Sequence, residues 1–212
     1  MIGLYGGTFD PVHYGHLRTA LEVKEAVGLA EVRFIPCREP PHRRAPAASP
    51  EQRLALLRAA LADGEPGFRI DTRELERPGP SYTADTLMSL REELGEAPLA
   101  LIVGLDAFLE LHHWHRWREL FERAHLLVMQ RPGPEPELPA ELDAALRQRF
   151  SADPAALRRH PAGCIHFVPV TQLAISATQI RAAIAAGASP RYLLPDSVWR
   201  AIRELGLYRA PG

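Results

Sequence analysis

The stretch Gly6-Gly7-Thr8-Phe9-Asp10-Pro11-Val12-His13-Tyr14-Gly15-His16 decides how this 212-residue chain is interpreted. The apolar run 2–5 precedes it and predicts a short buried strand, and a helical pattern follows from about Gly15. A strand, a glycine-bearing turn and a helix place backbone N–H groups and the positive end of a helix dipole in front of a phosphate. The stretch therefore predicts a phosphate site.

The rest of the chain alternates apolar runs with helical patterns. Strands are predicted at 2–5, 32–36, 68–71, 99–103, 125–129 and 165–168. Strands that alternate with helices at this spacing indicate an α/β fold, a Rossmann-like doubly wound parallel sheet with a small helical C-terminal part. We expect one domain over residues 1–187, including a proline-rich surface excursion at 134–163, and a helical appendage at 188–212 packed on the same domain.

The composition limits the possible partners. Apolar residues make up 46% of the chain, charged residues 24%, and the net charge is −1. Such a balance gives no general attraction to nucleic acid or to a membrane surface, so neither is a predicted partner. Two cysteines, Cys37 and Cys164, are not a disulfide framework, and no run approaches the ~18 apolar residues of a membrane span. We expect a soluble, cytoplasmic protein, since the chain enters a strand at once and leaves no room for a signal peptide. The oligomeric state is not predicted.

Several segments rich in polar or basic residues follow predicted strands. They are the glycine turn, the basic loop 38–44, Gly104 to Phe108, Arg131, and Ser176 to Arg181. Ligands of doubly wound sheets bind at the carboxyl ends of the strands, where the strand order reverses. We therefore expect all of these segments at one edge of the sheet.

His13 and His16 are three residues apart and can face one ligand. They could instead cap the helix or bond buried carbonyls. Zinc would need three or four ligands, and nothing nearby supplies a third, so no metal site is predicted. The neighbouring Gly7 and Thr8 favour the interpretation that the imidazoles donate to phosphate oxygens whose charge grows in a transition state.

The opening stretch resembles the Gly-Gly-Thr-Phe-Asp-Pro-x-His-x-Gly-His signature of the nucleotidylyltransferase superfamily. Over nearly the whole length the chain is similar to the bacterial nicotinate-nucleotide adenylyltransferase family. The matching segments are Pro40-Pro41-His42-Arg43, Ser81-Tyr82-Thr83-Ala84, Gly104-x-Asp106, Trp114, Arg131-Pro132-Gly133 and Ile175-Ser176-Ala177-Thr178-x-Ile180-Arg181. The resemblance implies adenylyl transfer from ATP to nicotinate mononucleotide, giving deamido-NAD and pyrophosphate, with Mg²⁺ bound together with ATP.

The resemblance also implies roles for individual residues. His13 and His16 would be catalytic. ATP and its phosphates would contact Gly6, Gly7, Thr8, Phe9, His42, Arg43, Gly104, Asp106, Ile175, Ser176 and Arg181. Nicotinate mononucleotide would contact Thr83, Ala84, Trp114, His115 and Arg131. The chain departs from the common family wording at Ala177, where a second serine is usual, and at Arg43, where lysine is usual.

Simpler interpretations stay open for several of these residues. Ser176 could be a plain helix cap beside a solvated Arg181, and the loop 38–44 could be a solvated turn. Either tryptophan of the pair Trp114 and Trp117 could be core; we expect Trp114 to contact the ligand and Trp117 to pack. The adjacent histidines His112, His113 and His115 could suggest a metal, although exposed side chains are favoured. Asp10 could bind a metal, although an Asx-type bond that stabilises the turn before Pro11 is favoured.

Two other functions remain possible from the sequence. One is a different adenylyltransferase on the same scaffold, with nicotinamide mononucleotide or phosphopantetheine as the acceptor. The other is a nucleotide-binding regulator without catalysis, against which the intact histidine pair argues. The sequence does not set the protonation of His13 and His16, because a helix N-terminus disfavours the imidazolium ion and nearby phosphates favour it.

Overall fold

The computed structural model describes residues 1–41, 45–62, 64–130 and 138–210. In these residues one parallel sheet is built from six strands in the order β3-β2-β1-β4-β5-β6. The strands are β1 (Ile2–Gly7), β2 (Glu31–Pro36), β3 (Phe68–Ile70), β4 (Leu99–Gly104), β5 (His125–Gln130) and β6 (Ile165–Pro169). The prediction of a Rossmann-like doubly wound sheet is confirmed, and the strand order reverses between β1 and β4.

The helices of the described residues flank the sheet. They are α1 (Tyr14–Val27), α2 (Pro50–Leu61), α3 (Arg73–Glu76), α4 (Thr83–Leu94), α5 (Leu105–Leu109), α6 (Leu120–Arg123), α7 (Ala140–Leu146), α8 (Ala177–Ala185) and α9 (Asp196–Glu204). The sequence predicts that Gly28 ends the first helix and that Ser49 and Gln52 form a capping box at the start of the next, and both predictions are confirmed. Gly28 ends α1 in the left-handed conformation, with φ of 64°, and Ser49 with Gln52 forms a capping box at the start of α2.

The strands bury alternate residues on opposite faces. In β4, Ala100 and Ile102 join the core under α1, α2, α8 and α9. Leu99, Leu101 and Val103 join the second core, which contains residues of α4, α6 and α7. A strand buried on both faces reads as a continuous apolar run, which is why β4 was recognisable in the sequence.

Two further helix predictions are confirmed in part. The sequence predicts a helix around Glu141 to Phe150; the α-helix ends at Leu146, a 3-10 helix continues over Arg147–Arg149, and Phe150 pairs with Ile165 at the start of β6. The pattern of α2 predicts a buried stripe at Leu54, Leu57 and Leu61. Leu57 is buried as predicted, but Leu54 and Leu61 are only half-buried, and Leu56 and the side chain of Arg53 are buried instead.

The C-terminal residues pack on the sheet domain. Helix α9 lies against α2, and the carbonyl of Leu193 accepts a hydrogen bond from the N–H of Tyr14, at 3.1 Å. The division of the chain at residue 187 stays a prediction. Among the residues that the structure describes, none of the helices combines the length and apolar character needed to cross a membrane.

Candidate active site

A cleft of about 220 Å³ opens at the carboxyl edge of β1 and β4, where the strand order reverses. It is lined by Tyr5, His13, Gly15, His16, Thr19, Gly104, Met129, Val170, Gln172, Leu173 and Ile175. The opening stretch and Gly104 were expected at this edge, and Ile175 is a residue for which the resemblance implied a contact with ATP. The structure thus brings together the start of α1, the end of β4 and the segment before α8.

The two histidines form one unit at the start of α1. His13 is the capping residue, with an extended backbone, and its ring centroid lies 3.8 Å from that of His16. The Nδ1 atom of His16 accepts a hydrogen bond from the backbone N–H of His13, at 3.3 Å. An imidazole that accepts at Nδ1 and is neutral carries its proton on Nε2. His16 therefore presents an N–H donor from Nε2.

Burial sets the protonation that the sequence left open. The pKa of His13 is lowered to about 4 because removal from water disfavours the charged ring. The pKa of His16 is lowered to about 3, mainly by burial and further by the neighbouring His13. Both imidazoles are therefore neutral near pH 7 in the protein without substrates.

Gly15 leaves the space that the His13 ring occupies. A Cβ atom at position 15 would lie 2.9 Å from Cε1 and from Nδ1 of His13, and 3.5 Å from the carbonyl oxygen of Ile175. Contacts below 3.0 Å require something to move. The glycine between the two histidines is therefore needed for the packing of the ring, and its φ is not in the left-handed region.

Phe9 packs against His16 from the side of the core. Its side chain is buried in the core, its ring meets that of His16 edge to face at a centroid distance of 5.2 Å, and its φ is 49°. A Cβ atom on Gly7 would lie 2.8 Å from this ring, whereas one on Gly6 would meet nothing. Any contact of Phe9 with phosphate would involve its backbone. The roles assigned to Gly6, Gly7 and Thr8 stay predictions.

Asp10 joins three distant parts of the chain. Its buried carboxylate accepts from the N–H groups of Ala47 and Ala48, at 2.7 and 3.2 Å, and from the hydroxyl of Tyr208, at 2.7 Å. The expected Asx-type bond is thus replaced by bonds to remote partners. Burial, together with this hydrogen bond, raises the pKa of the Tyr208 hydroxyl above its usual value.

Arg53 holds the same region from α2, and sequence reasoning missed it. Its side chain is fully buried and donates to the carbonyl oxygens of Thr8, Arg38 and Ala48, at 2.8, 3.1 and 3.3 Å. These carbonyls belong to the glycine turn (Thr8), to the start of the basic loop (Arg38) and to the residue before the cap of α2 (Ala48). The helical pattern allows position 53 on either face of α2, so it does not predict that this arginine is buried.

The start of α8 lies beside the histidines. Ser176 caps the helix, and its Oγ accepts from the N–H of Gln179, at 3.1 Å. Arg181 turns back toward the opening stretch: its Nη1 donates to the carbonyl of Asp10, at 2.6 Å, and lies 3.8 Å from the Asp10 carboxylate. The cap interpretation of Ser176 is confirmed, and it leaves the hydroxyl proton available for a ligand. Arg181 is anchored rather than merely solvated.

Gly104 and Asp106 mark the end of β4. Gly104 is the last strand residue, lines the cleft and caps α5, and the exposed Asp106 lies in the first turn of α5. An exposed carboxylate at this edge fits the expected contact with a sugar hydroxyl.

Several of the residues expected at the acceptor lie at the start of α4 or close to it. Thr83 and Ala84 are its first two residues, and the Tyr82 ring before them lies 4.4 Å from that of His115. Trp114 is half-buried against the core, and Trp117 is buried within it, so the packing role expected for Trp117 is confirmed. His113 lies 3.6 Å from a carboxylate oxygen of Glu110.

Three predicted site residues, His42, Arg43 and Arg131, lie outside the described residues. Arg38 fixes the chain just before His42 and Arg43: its backbone N–H donates to Ser81 Oγ at 2.9 Å, and its Nη1 donates to the carbonyl of Leu75 at 2.9 Å. Sequence reasoning also missed several residues of the cleft wall, namely Tyr5, Thr19, Met129, Val170, Gln172 and Leu173. The apolar run 2–5 predicts a buried strand but does not single out Tyr5, and the residues after β6 carry no comparable signal.

A family profile described as cytidylyltransferase-like matches residues 4–183. A curated relative from Methylococcus capsulatus named "Probable nicotinate-nucleotide adenylyltransferase" is 56% identical over 98% of this chain and 99% of its own length. A relative of the same name from Halorhodospira halophila is 56% identical over 99% of this chain and 96% of its own length.

Solved structures share the fold. The nicotinic acid mononucleotide adenylyltransferase of Plasmodium falciparum in complex with NaAD has a TM-score of 0.72 at 16% identity, covering 98% of this chain and 96% of that one. A structure from Vibrio parahaemolyticus described as a "Putative Nicotinate-nucleotide Adenylyltransferase" has a TM-score of 0.64 at 17% identity, covering 99% of this chain and 96% of that one. With relatives this similar over its full length, the chain belongs to the nicotinate-nucleotide adenylyltransferase family of cytidylyltransferase-like proteins.

Proposed function

We propose that this protein transfers the adenylyl group of ATP to nicotinate mononucleotide, forming deamido-NAD and releasing pyrophosphate. The observation that carries the proposal is the pair of neutral histidines in the wall of the cleft between β1 and β4. In this reaction the acceptor phosphate attacks the α-phosphorus of ATP, and pyrophosphate leaves from the opposite side. Charge develops on the phosphoryl oxygens, so fixed donors aimed at them lower the barrier.

The histidines would act as such donors. The Nε2–H of His16 is fixed by the bond that His13 gives to Nδ1, so it needs no reorientation when charge develops. His13, whose ring centroid lies 3.8 Å from that of His16, would be a second donor to the same group. Because both rings are neutral, we propose that they contribute hydrogen bonds and positioning rather than a full positive charge.

The triphosphate would lie along the start of α8 and the glycine turn. The Ser176 hydroxyl and the N-terminal N–H groups of α8 face an anion favourably, and Arg181 adds a positive charge beside Asp10. Gly6 and Gly104, where a Cβ would meet nothing within 4 Å, leave room for close approach of the nucleotide. Asp106 would accept from a ribose hydroxyl.

We propose that Mg²⁺ arrives with ATP and is held mostly by phosphate and water oxygens, which it prefers. The donor set of the chain fits this arrangement. The Asp10 carboxylate is buried and already accepts three hydrogen bonds, so it is not a free ligand. When bound, the ion would neutralise charge on the leaving pyrophosphate.

The acceptor would bind at the start of α4. Its N–H groups and the positive end of the helix suit the carboxylate of nicotinate, and half-buried Trp114 offers a ring for the pyridine to stack on. We also propose a cytoplasmic location, which the free thiols of Cys37 and Cys164 support.

The test is a direct assay of the purified chain with ATP, Mg²⁺ and nicotinate mononucleotide. We expect release of pyrophosphate in step with formation of deamido-NAD, and a higher kcat/KM for nicotinate mononucleotide than for nicotinamide mononucleotide or phosphopantetheine. The His13→Ala/His16→Ala double variant controls for contaminating activity. Equal kcat/KM values for the two mononucleotides would contradict the assignment of the acceptor, and no turnover with any acceptor would favour a non-catalytic regulator.

A further inference from the structure

Two contacts fasten the start of α4 to the turn that carries Trp114. The rings of Tyr82 and His115 lie 4.4 Å apart, and Nη1 of Arg116 lies 3.2 Å from Oδ1 of Asp85. The partners in each contact are about thirty residues apart in the chain, and one partner of each lies at the start of α4, where the acceptor is proposed to bind. A charge at this junction therefore changes the electrostatic potential at that position.

Asp85 lies in the first turn of α4. The first intrahelical bonds come from the N–H groups of Asp85 and Thr86 to the Tyr82 carbonyl, so the N–H groups of Thr83 and Ala84 precede them. A carboxylate in the first turn is favourable for the helix itself, because it meets the positive end of the dipole. It is unfavourable for an anionic ligand, because the ligand carboxylate needs the same positive potential.

Arg116 supplies the opposing charge. Its guanidinium contacts Asp85 through Nη1 and Glu119 through Nε and Nη2, at 2.7 and 2.5 Å. Glu119 in turn pairs with Arg123, at 2.8 Å. The hydrogen bond from Arg116 is the main reason why the pKa of Glu119 is lowered to about 2, so this carboxylate is charged at neutral pH.

The group of Asp85, Glu119, Arg116 and Arg123 is thus neutral as a whole, and loss of Arg116 would leave one negative charge next to the acceptor position. Arg116 also adopts a left-handed backbone, with φ of 53°, at the residue before the turn Trp117–Glu119. A non-glycine residue is uncommon in that conformation. Its side chain spans from this turn to α4.

We propose that Arg116 is a specificity-determining residue, which neutralises Asp85 so that the start of α4 accepts the carboxylate of nicotinate mononucleotide in preference to the uncharged amide of nicotinamide mononucleotide. The inference rests on the proposed function, since it concerns the choice of acceptor at the same site. Arg116 touches neither reacting group. It acts through the electrostatic potential at the acceptor.

The experiment measures kcat/KM for both mononucleotides in the wild type and in Arg116→Gln, Arg116→Lys, Asp85→Asn and Asp85→Asn/Arg116→Gln. In Arg116→Gln we expect the ratio of nicotinate to nicotinamide kcat/KM to fall about threefold or more, the size of exposed charge effects near a helix end. In Arg116→Lys the ratio should stay close to the wild-type value, because the positive charge remains. In Asp85→Asn/Arg116→Gln the ratio should return toward the wild-type value, because the unpaired carboxylate of Asp85 is gone.

Arg118→Gln is the matched control, since Arg118 belongs to the same turn, is exposed, and pairs with Glu141 rather than with α4. It changes the net charge equally and should leave the ratio unchanged. The fall of the kcat/KM ratio in Arg116→Gln should also be smaller in 1 M salt, because screening weakens interactions between exposed charges. An unchanged ratio in Arg116→Gln, or a loss that Asp85→Asn does not restore, overturns the inference. A wild type that turns over neither mononucleotide would instead overturn the proposed function.

Discussion

The backbone N–H of His13 donates to Nδ1 of His16, at 3.3 Å, and this bond fixes which nitrogen of His16 faces the cleft with a proton. The two ring centroids lie 3.8 Å apart with the planes tilted by 33°, so the ring of the residue that fixes the tautomer also covers one side of the His16 imidazole. The pair is therefore a prearranged donor.

His16→Ala is expected to lower kcat by about 10² or more, the effect of removing one transition-state donor. His16→Gln keeps an N–H donor near the Nε2 position and should lose less. Steady-state kinetics with ATP and nicotinate mononucleotide measure both variants. If KM for ATP rose while kcat held, His16 would contribute only to binding of the ground state.

The pH dependence of stability tests the neutral state of His13. Its pKa is about 4 in the folded protein and near 6.5 in the unfolded chain, so the unfolded chain binds more protons between these values. The free energy of unfolding should therefore fall as pH falls through this window, by about 2 kcal/mol between pH 7 and pH 4.5 from this group alone. His13→Gln should show a shallower dependence than the wild type in denaturant titrations, and His113→Gln, which removes an exposed imidazole, is the matched control variant. An imidazole of His13 that titrates near 6.5 by NMR would contradict the assignment.

Gly15→Ala should impair catalysis without unfolding the protein. The added Cβ would lie 2.9 Å from the His13 ring and force it to move, and small displacements of catalytic groups cost about tenfold to 10² in rate. Alanine is also a better helix former than glycine by about 1 kcal/mol, so the melting temperature should stay equal or rise. Wild-type kcat in this variant would show that the position of the His13 ring is not critical.

Arg53→Lys should lower the free energy of unfolding by about 2 kcal/mol, because an ammonium group cannot reach three carbonyls that the guanidinium satisfies at once. Arg58→Lys, on the exposed side of the same helix, is the matched control and should change little. Denaturant unfolding compares the two. Equal stabilities would mean that the carbonyls of Thr8, Arg38 and Ala48 find other partners.

The positions of the strands along the chain were predictable from local sequence patterns. The continuous apolar run of β4 and the cap signals at Ser49 and Gly28 depend on neighbours in the chain, so the sequence was sufficient to predict them. The motif from Gly6 to His16, with the resemblance over the later segments, was likewise sufficient to predict the family. The buried face of α2 was predicted only in part: Leu57 is buried as expected, but a charged side chain, Arg53, is buried as well, against carbonyls that come from distant turns.

The sequence by itself determined the doubly wound sheet and the edge at which the site forms, since these follow from periodicity and from the residues at the ends of the strands. The class of reaction came from the resemblance of the stretch Gly6 to His16 and of the later segments to a known family. Only the tertiary structure decided the protonation and tautomer of the histidines, because burial and the bond between His13 and His16 set them. It alone showed that Asp10 accepts from Ala47, Ala48 and Tyr208 rather than from its own turn. The same holds for Arg116 and Asp85, whose pairing depends on two loops meeting in space.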